Sequence, residues 1–194
     1  IGMTGLLMAT EQTEEQREFT GIIENSASAL LTIINDILDF SRIEKEKVDL
    51  ERQPLSLKHC IEESLDMVEV QAAQKGLKLD YSIDEDTPDT IIEDQGRLRQ
   101  VLVNLLSNAV KFTDEGEVSV SVSSEAIRGE MRQILFEVKD TGIGIPQDKM
   151  DRLFQPFDQL ERSISHKRDG IGLGLAISRG LVELMEGVIW AESV

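Results

Sequence analysis

The sequence predicts an α+β fold: a helical hairpin followed by helices laid on one face of a mixed, mainly antiparallel sheet. Three observations carry that expectation. A seam through Phe19, Ile23, Ser26, Leu30, Ile33, Ile37 and Phe40 advances in steps of 4, 3, 4, 3, 4 and 3, the heptad spacing of a long helix. Val118, Val120 and Val122 alternate with Ser119, Ser121 and Ser123, and Ile134, Phe136 and Val138 alternate again after a polar turn around Gly129. That period of two marks a hairpin of strands with one buried face. Between seam and hairpin, apolar residues recur every three to four positions, the spacing of amphipathic helices.

In chain order, Ile1 to Met8 reads as the end of a helix, and Thr10-Glu-Gln-Thr-Glu-Glu as a polar turn into the seam helix, giving an antiparallel helical hairpin. Ile22, Ile34 and Leu38 widen the stripe, more than a lone hairpin could cover. The expectation is a four-helix bundle built from two chains. Glu44 to Arg52 alternates charges and reads as a frayed end entering a linker, with Val48 to Glu51 a candidate short strand. Pro54 breaks the chain. Ser56 is placed to cap a helix carrying Leu57, Ile61, Leu65, Val68 and Ala72, and Gly76 to stop it. Leu77, Leu79, Tyr81 and Ile83 alternate as a strand, Ile91-Ile92 is a brief apolar run, and Asp94 is placed to cap the next helix.

That helix, Arg97 to Phe112, places Leu98, Leu102, Leu105, Ala109 and Phe112 on a core stripe. Gly116 is read as its end. After the hairpin, residues 146–169 form a long cover, with Phe154, Pro156 and Phe157 as an apolar latch. Leu175, Ile177, Leu181 and Leu184 make a last helix, and Val188 to Trp190 a closing strand. The expected division is a partial dimerisation hairpin over 1–46 and a second domain over 47–194.

The bulk numbers narrow the function classes. Net charge is −17, from 37 acidic and 20 basic residues, which argues against nucleic acid as a partner. An anionic ligand would then need local means: a metal ion, helix N-termini, or a few chosen cations. The single Cys60 excludes an internal disulfide and suits a reducing compartment. No apolar run approaches the ~20 residues of a membrane span, so the expectation is a cytoplasmic segment without direct membrane contact. The chain opens and stops within apolar patterns, which reads as a fragment of something longer.

Two glycine clusters stand out. Asp140-Thr-Gly-Ile-Gly-Ile145 places a carboxylate directly before glycines at the end of a strand, and Gly170-Ile-Gly-Leu-Gly-Leu175 opens into a helical pattern. Either alone can be a turn. On the preceding helix, Asn104, Asn108 and Lys111 fall within roughly 60° of arc beside the core stripe. Two amides and an ammonium in one line do not help a helix fold, since Asn is a poor helix former. Together with the glycine clusters they point to a nucleotide.

Asn104-Leu-Leu-Ser-Asn-Ala-Val-Lys-Phe112, Asp140-Thr-Gly-Ile-Gly144, Phe154-Gln-Pro-Phe157 and Gly170-Ile-Gly-Leu-Gly174 resemble, in order, the asparagine, first glycine, phenylalanine and second glycine boxes of sensor histidine kinases. Ser26 to Glu44 resembles the second dimerisation helix of the hybrid type. The resemblance spans nearly the whole chain and implies a Bergerat-type ATP-binding sandwich with ATP and Mg²⁺ as cofactors. It implies that Asp140 accepts the adenine amino group, with Gly142 and Gly144 letting backbone approach the base. Asn108 offers its carbonyl oxygen to Mg²⁺, assisted by Asn104, and Lys111 reaches a phosphate as a point charge. Asn104 and Lys111 are thereby the catalytic candidates. Gly170, Gly172, Gly174 and Leu175 present backbone N–H groups to phosphates where a helix begins. On the cover, Arg162, His166, Lys167 and Arg168 are the cations for the terminal phosphate, of which one or two suffice. Phe154 and Phe157 are packing residues.

Such kinases transfer the γ-phosphoryl to a histidine on the first bundle helix, then to an aspartate of a response-regulator receiver. Here the only histidines are His59 and His166, and neither belongs to the family's histidine box. Ile1-Gly-Met-Thr-Gly-Leu-Leu resembles the residues just beyond that box, which places the acceptor roughly three helical turns before Ile1. The expected role is the ATP-binding half of a homodimeric kinase, unable to phosphorylate itself as it stands. A hydrolase of the gyrase, mismatch-repair or chaperone kind would carry a Glu one turn before the metal-binding Asn, where this chain has Asn104. A nucleotide-binding module without activity is the remaining alternative.

Overall fold

The computed structural model describes residues 2–45, 48–128, 131–158 and 172–193. The first helix, α1 (Gly2–Met8), turns into α2 (Glu14–Glu44) through residues 9–13. The turn is closed by a capping box. The Thr13 side chain accepts from the Gln16 N–H at 3.2 Å, and the Gln16 side chain accepts from the Thr13 N–H at 3.1 Å. Two orphan donors of the helix start are thereby satisfied reciprocally. Along α2 the heptad seam faces outward: Phe19, Ile23, Leu30 and Ile37 are all exposed, with Leu30 57% accessible. The 31-residue helix thus leaves an apolar stripe uncovered along its length.

The chain then runs without regular structure from 48 to 52, and the short strand expected at Val48–Glu51 does not form there. The strand is β1 (Gln53–Ser56), pairing antiparallel with β3 (Thr90–Glu93). Pro54, read as a breaker, lies inside it opposite Ile92. A two-stranded sheet leaves every strand an open edge, which tolerates a residue without an N–H. Helix α3 (Leu57–Lys75) starts on the Ser56 side chain and ends at Gly76, whose φ of 69° is the left-handed C-cap conformation. Strand β2 (Lys78–Ile83) follows, and α4 (Gln95–Phe112) is capped by Asp94, whose carboxylate accepts from the Arg97 N–H at 3.0 Å. Helix α4 ends at Phe112, with Thr113 as cap. Gly116, expected to end it, instead sits in the turn before β4 with φ of 115°.

Strand β4 (Glu117–Arg128) is central, parallel to β2 and antiparallel to β5 (Met131–Asp140). The sheet is therefore mixed, as expected. One face carries the core. Val118, Val120 and Val122 of β4 are buried with Ile61, Val68 and Ala72 of α3 and Leu102, Leu106 and Val110 of α4. Helices α3 and α4 thus share the same side of the sheet. The expected stripe of α4 was offset: Leu98, Leu102 and Ala109 are buried in this core, whereas Leu105 packs elsewhere and Leu106 takes the deep position. Cys60 is wholly buried here, and desolvation, followed by the charge of Glu63, pushes its thiol up to about 11.

A second cluster joins α5 (Gly174–Leu184) to α4 and to the end of α2. Leu173, Ile177 and Leu181 are buried with Val101, and Phe40, Ile43 and Leu105 pack against them. Gly180 permits this approach, because a Cβ there would meet Ile43. The expected strand at Val188–Trp190 is not hydrogen-bonded into a sheet, and Val188 and Trp190 are exposed. Among the described residues it has no partner strand.

Candidate functional site

Helix α4 organises the site. Asn104, Asn108 and Phe112 are spaced four apart, so they stack along one line of the helix at roughly 6 Å intervals. At one end of the line, Asn104 Nδ2 donates to Ser178 Oγ of α5 at 2.8 Å, and a Cβ added at Gly174 would collide with Asn104 Oδ1. At the other end, the Phe112 carbonyl accepts the Ile143 N–H at 3.3 Å and lies where a Cβ on Gly142 would be, 2.5 Å away. The second glycine cluster is thus seated on the first third of the line and the first glycine cluster on its last residue. Asn108 sits between them.

Each seat has a local cause. Asp140 ends β5, and its Oδ1 accepts the Gly142 N–H at 2.8 Å, a side chain-to-backbone turn that starts the loop. Thr141 fastens that loop to the β4 start: its N–H donates to Glu117 O at 3.2 Å, and its hydroxyl accepts the Glu117 N–H at 3.0 Å. Gly144 adopts a φ of 68°, which a side chain would resist. On α5, Gly174 is the first helical residue, with Leu175 in the first turn and no side chain capping the start. The N–H groups of a first helical turn are an anion-binding feature by geometry and dipole.

The polar side chains on the line differ in how they are engaged. Asn104 and Asn108 are partly buried; the Asn108 amide makes no side-chain hydrogen bond to the described residues, whereas Asn104 is held by Ser178. Lys111 Nζ lies 5.4 Å from the centroid of the Phe112 ring, a cation–π distance. The expected contacts at Lys167, Arg168 and Gly170, with Arg162 and His166, lie outside the described residues. The two ends of that segment are nonetheless defined. The Phe157 N–H donates to Gly172 O at 3.0 Å, and Gly172, with φ of 77°, packs against the Asp158 backbone. Arg152 grips Asp158 at 2.7 Å. The latch residue Phe157 meets Phe40 of α2 edge-on, with centroids 6.3 Å apart.

Sequence reasoning missed two groups. Lys75, the last residue of α3, donates from Nζ to the carbonyls of Val110, Lys111 and Thr113 at 2.7, 2.9 and 2.8 Å. Nothing in the local pattern around Lys75 points thirty-five residues onward. Asp39 of α2 accepts from Gln100 at 2.8 Å and pairs with Arg97 at 3.6 Å, which docks the start of α4 on the hairpin. His59, by contrast, is bound to its own helix, with Nε2 at 3.2 Å from Glu63.

Residues 93–194, more than half of the chain, match the family described as histidine kinase-, DNA gyrase B-, and HSP90-like ATPase. The chain belongs to this family. Residues 1–46 match the His Kinase A (phospho-acceptor) domain, so the two segments are those of a sensor histidine kinase. Signal transduction histidine-protein kinase BarA of Escherichia coli is 43% identical over 189 residues, 97% of this chain and 21% of that protein. Hybrid signal transduction protein dokA of Dictyostelium discoideum is 42% identical over 195 residues, 100% of this chain and 12% of that protein. The chain therefore spans 21% and 12% of the length of these two relatives. Among solved structures, full-length ShkA in complex with AMPPNP matches with a TM-score of 0.79 and 34% identity, over 99% of this chain and 40% of that one. Histidine kinase ThkA in complex with the response regulator protein TrrA matches with a TM-score of 0.63 and 25% identity, over 97% of this chain and 52% of that one.

The donor set can be tested for the metal such an ATPase would use. Among the described residues no group of three or more His, Cys, Asp or Glu could hold a metal ion. Mg²⁺ keeps most of its waters and takes only one or two protein oxygens beside phosphates; the partly buried Asn108 side-chain carbonyl is an oxygen that would fit such a demand.

Proposed function

We propose that residues 47–194 bind Mg-ATP and donate its γ-phosphoryl to a histidine of a kinase bundle, and that residues 1–46 belong to the hairpin that builds the bundle. The observation that carries this reading is the line Asn104–Asn108–Phe112, with one glycine cluster touching each end and between them the Asn108 amide, which makes no side-chain hydrogen bond among the described residues. Asp140 reads adenine by accepting its amino group. Gly142 and Gly144 keep the base's edge free of side chains. Asn108 is the ligand for Mg²⁺, which would neutralise phosphate charge beside a protein of net charge −17. Lys111 holds a phosphate oxygen. Gly170, Gly172, Gly174 and Leu175 offer N–H groups at the α5 start, and Lys167 and Arg168 meet the terminal phosphate from the cover. Asn104 assists Asn108 and sets the distance between α4 and α5.

The hydrolase reading is disfavoured, because Asn104 has no carboxylate to activate water and its amide N–H is committed to Ser178. The exposed α2 seam supports a homodimer through a four-helix bundle. A response-regulator receiver is the onward acceptor, in keeping with the TrrA complex of the ThkA structure. No helix of the described residues is long and apolar enough to cross a membrane; we place the domain in the cytoplasm, where ATP is. The test mixes the chain with γ-labelled Mg-ATP and a separate bundle bearing the family's histidine. Label on the bundle's histidine is expected. Free phosphate alone would support the hydrolase, and binding with neither product an inactive module.

A further inference from the structure

We infer that Lys75 is a positioning residue of the nucleotide site, holding the end of α4 on which the adenine-reading loop is mounted. The last turn of a helix leaves carbonyls without intrahelical partners. In α4 and its cap residue Thr113 these carbonyls are shared out. Those of Val110, Lys111 and Thr113 accept from Lys75 Nζ within 2.9 Å, and that of Phe112 accepts from Ile143 of the loop. An ammonium has three donors, and all three are used. Asp114 Oδ1, 3.7 Å from Nζ, adds a counter-charge. The Lys75 side chain is only 33% exposed, so the cation is drawn inward along the α3 terminus. Gly76 makes this possible by ending α3 in the left-handed conformation, with Lys75 left pointing at its neighbour helix.

The consequence follows from connectivity. Lys111 belongs to the turn that Lys75 holds, and Phe112 O is the seat of Gly142 and Ile143, two and three residues beyond Asp140. Without the ammonium, three carbonyls at the negative end of the helix must find water or rotate. The Phe112 carbonyl between them rotates too. The Asp140 loop then loses its register with Asn108. Lys75 touches no nucleotide in this account; it acts through α4.

The inference rests on the ATP-site reading above, and the experiment separates the two. Wild-type chain, Lys75→Met and Lys75→Arg are titrated with Mg-ATP and Mg-GTP at a temperature well below unfolding, with melting followed in parallel. Methionine keeps the stem and removes the donors; arginine keeps a cationic donor. Lys75→Met is expected to bind Mg-ATP about tenfold more weakly, with a reduced preference for ATP over GTP, and Lys75→Arg to recover part of both. If Lys75→Met does not fold, Lys75→Gln carries the same comparison. A variant that melts earlier but keeps wild-type ATP affinity and ATP preference would show a merely structural lysine and overturn the inference. Failure of the wild-type chain to bind Mg-ATP would instead overturn the ATP site, and the role of Lys75 with it.

Discussion

Asn104 Nδ2 donates to Ser178 Oγ at 2.8 Å, and through that bond a residue in the middle of α4 fixes where α5 begins. Ser178 is 1% exposed, so the bond is shielded from water. Its strength is that of a partly buried neutral hydrogen bond, about 1 kcal/mol net, and more if one partner is stranded. The same amide's oxygen faces Gly174, so the α5 start has a polar tether and a steric limit on one side chain.

Gly174→Ala should therefore cost about 1–3 kcal/mol of stability, since its methyl must displace the partly buried Asn104 amide. It should also weaken nucleotide binding by moving the α5 N-terminus. Ser178→Ala should cost about 1 kcal/mol and leave space unfilled. Thermal melting and nucleotide titration of both variants check this. Equal behaviour of Gly174→Ala and wild type would remove Asn104 as the spacer.

Leu106 is fully buried between α4 and the sheet. Truncation to alanine removes its packing and leaves a cavity, at a cost of about 2–5 kcal/mol. Denaturant unfolding measures it. Leu30, 57% exposed on the α2 seam, should behave in the opposite way. Leu30→Asp should leave the stability of the ATP-binding part unchanged yet abolish dimers in sedimentation equilibrium. Dimers persisting in that variant would place the contact elsewhere.

Asp36 lines a cleft on α2 with Asn35, Asp39 and Arg42. Burial first, and the neighbouring Asp39 second, raise its carboxyl above 3.8. A carboxyl with a raised folded value binds its proton more tightly when folded, so stability falls as pH climbs through the window just above 3.8. Asp36→Asn should accordingly raise the melting temperature at neutral pH, and the gain should vanish once acid protonates Asp36 in both states. A gain independent of pH would mean the charge is not the cause.

The sequence was most legible where a local rule decides the structure. Ser56, Gly76 and Asp94 cap helices as their positions demand, and the alternation at Val118–Val122 and Ile134–Val138 delivers a buried face and Asp140 at its end. It was least legible where a distant partner decides. Pro54 reads as a breaker until Ile92 lies opposite it. Val188–Trp190 has strand-like residues, but pairing requires an available edge. Phe40 reads as one more seam residue, yet it turns toward Phe157 and the α5 cluster. The trio Asn104, Asn108 and Lys111 was visible as an anomaly on the helix. That Asn104 is spoken for by Ser178, and that Lys75 holds the helix end, depends on contacts across 74 and at least 35 residues.

Asn108 is the amide between the two glycine clusters, so the direct measurement is the Mg²⁺ dependence of ATP binding. Calorimetric titration of wild type and Asn108→Ala, each with Mg²⁺ and with chelator, compares the four affinities. Wild type should bind ATP more tightly with Mg²⁺ by about tenfold or more, and Asn108→Ala should fold normally and lose that gain. An Asn108→Ala protein that binds Mg-ATP as tightly as wild type, with the same Mg²⁺ dependence, would contradict the assignment.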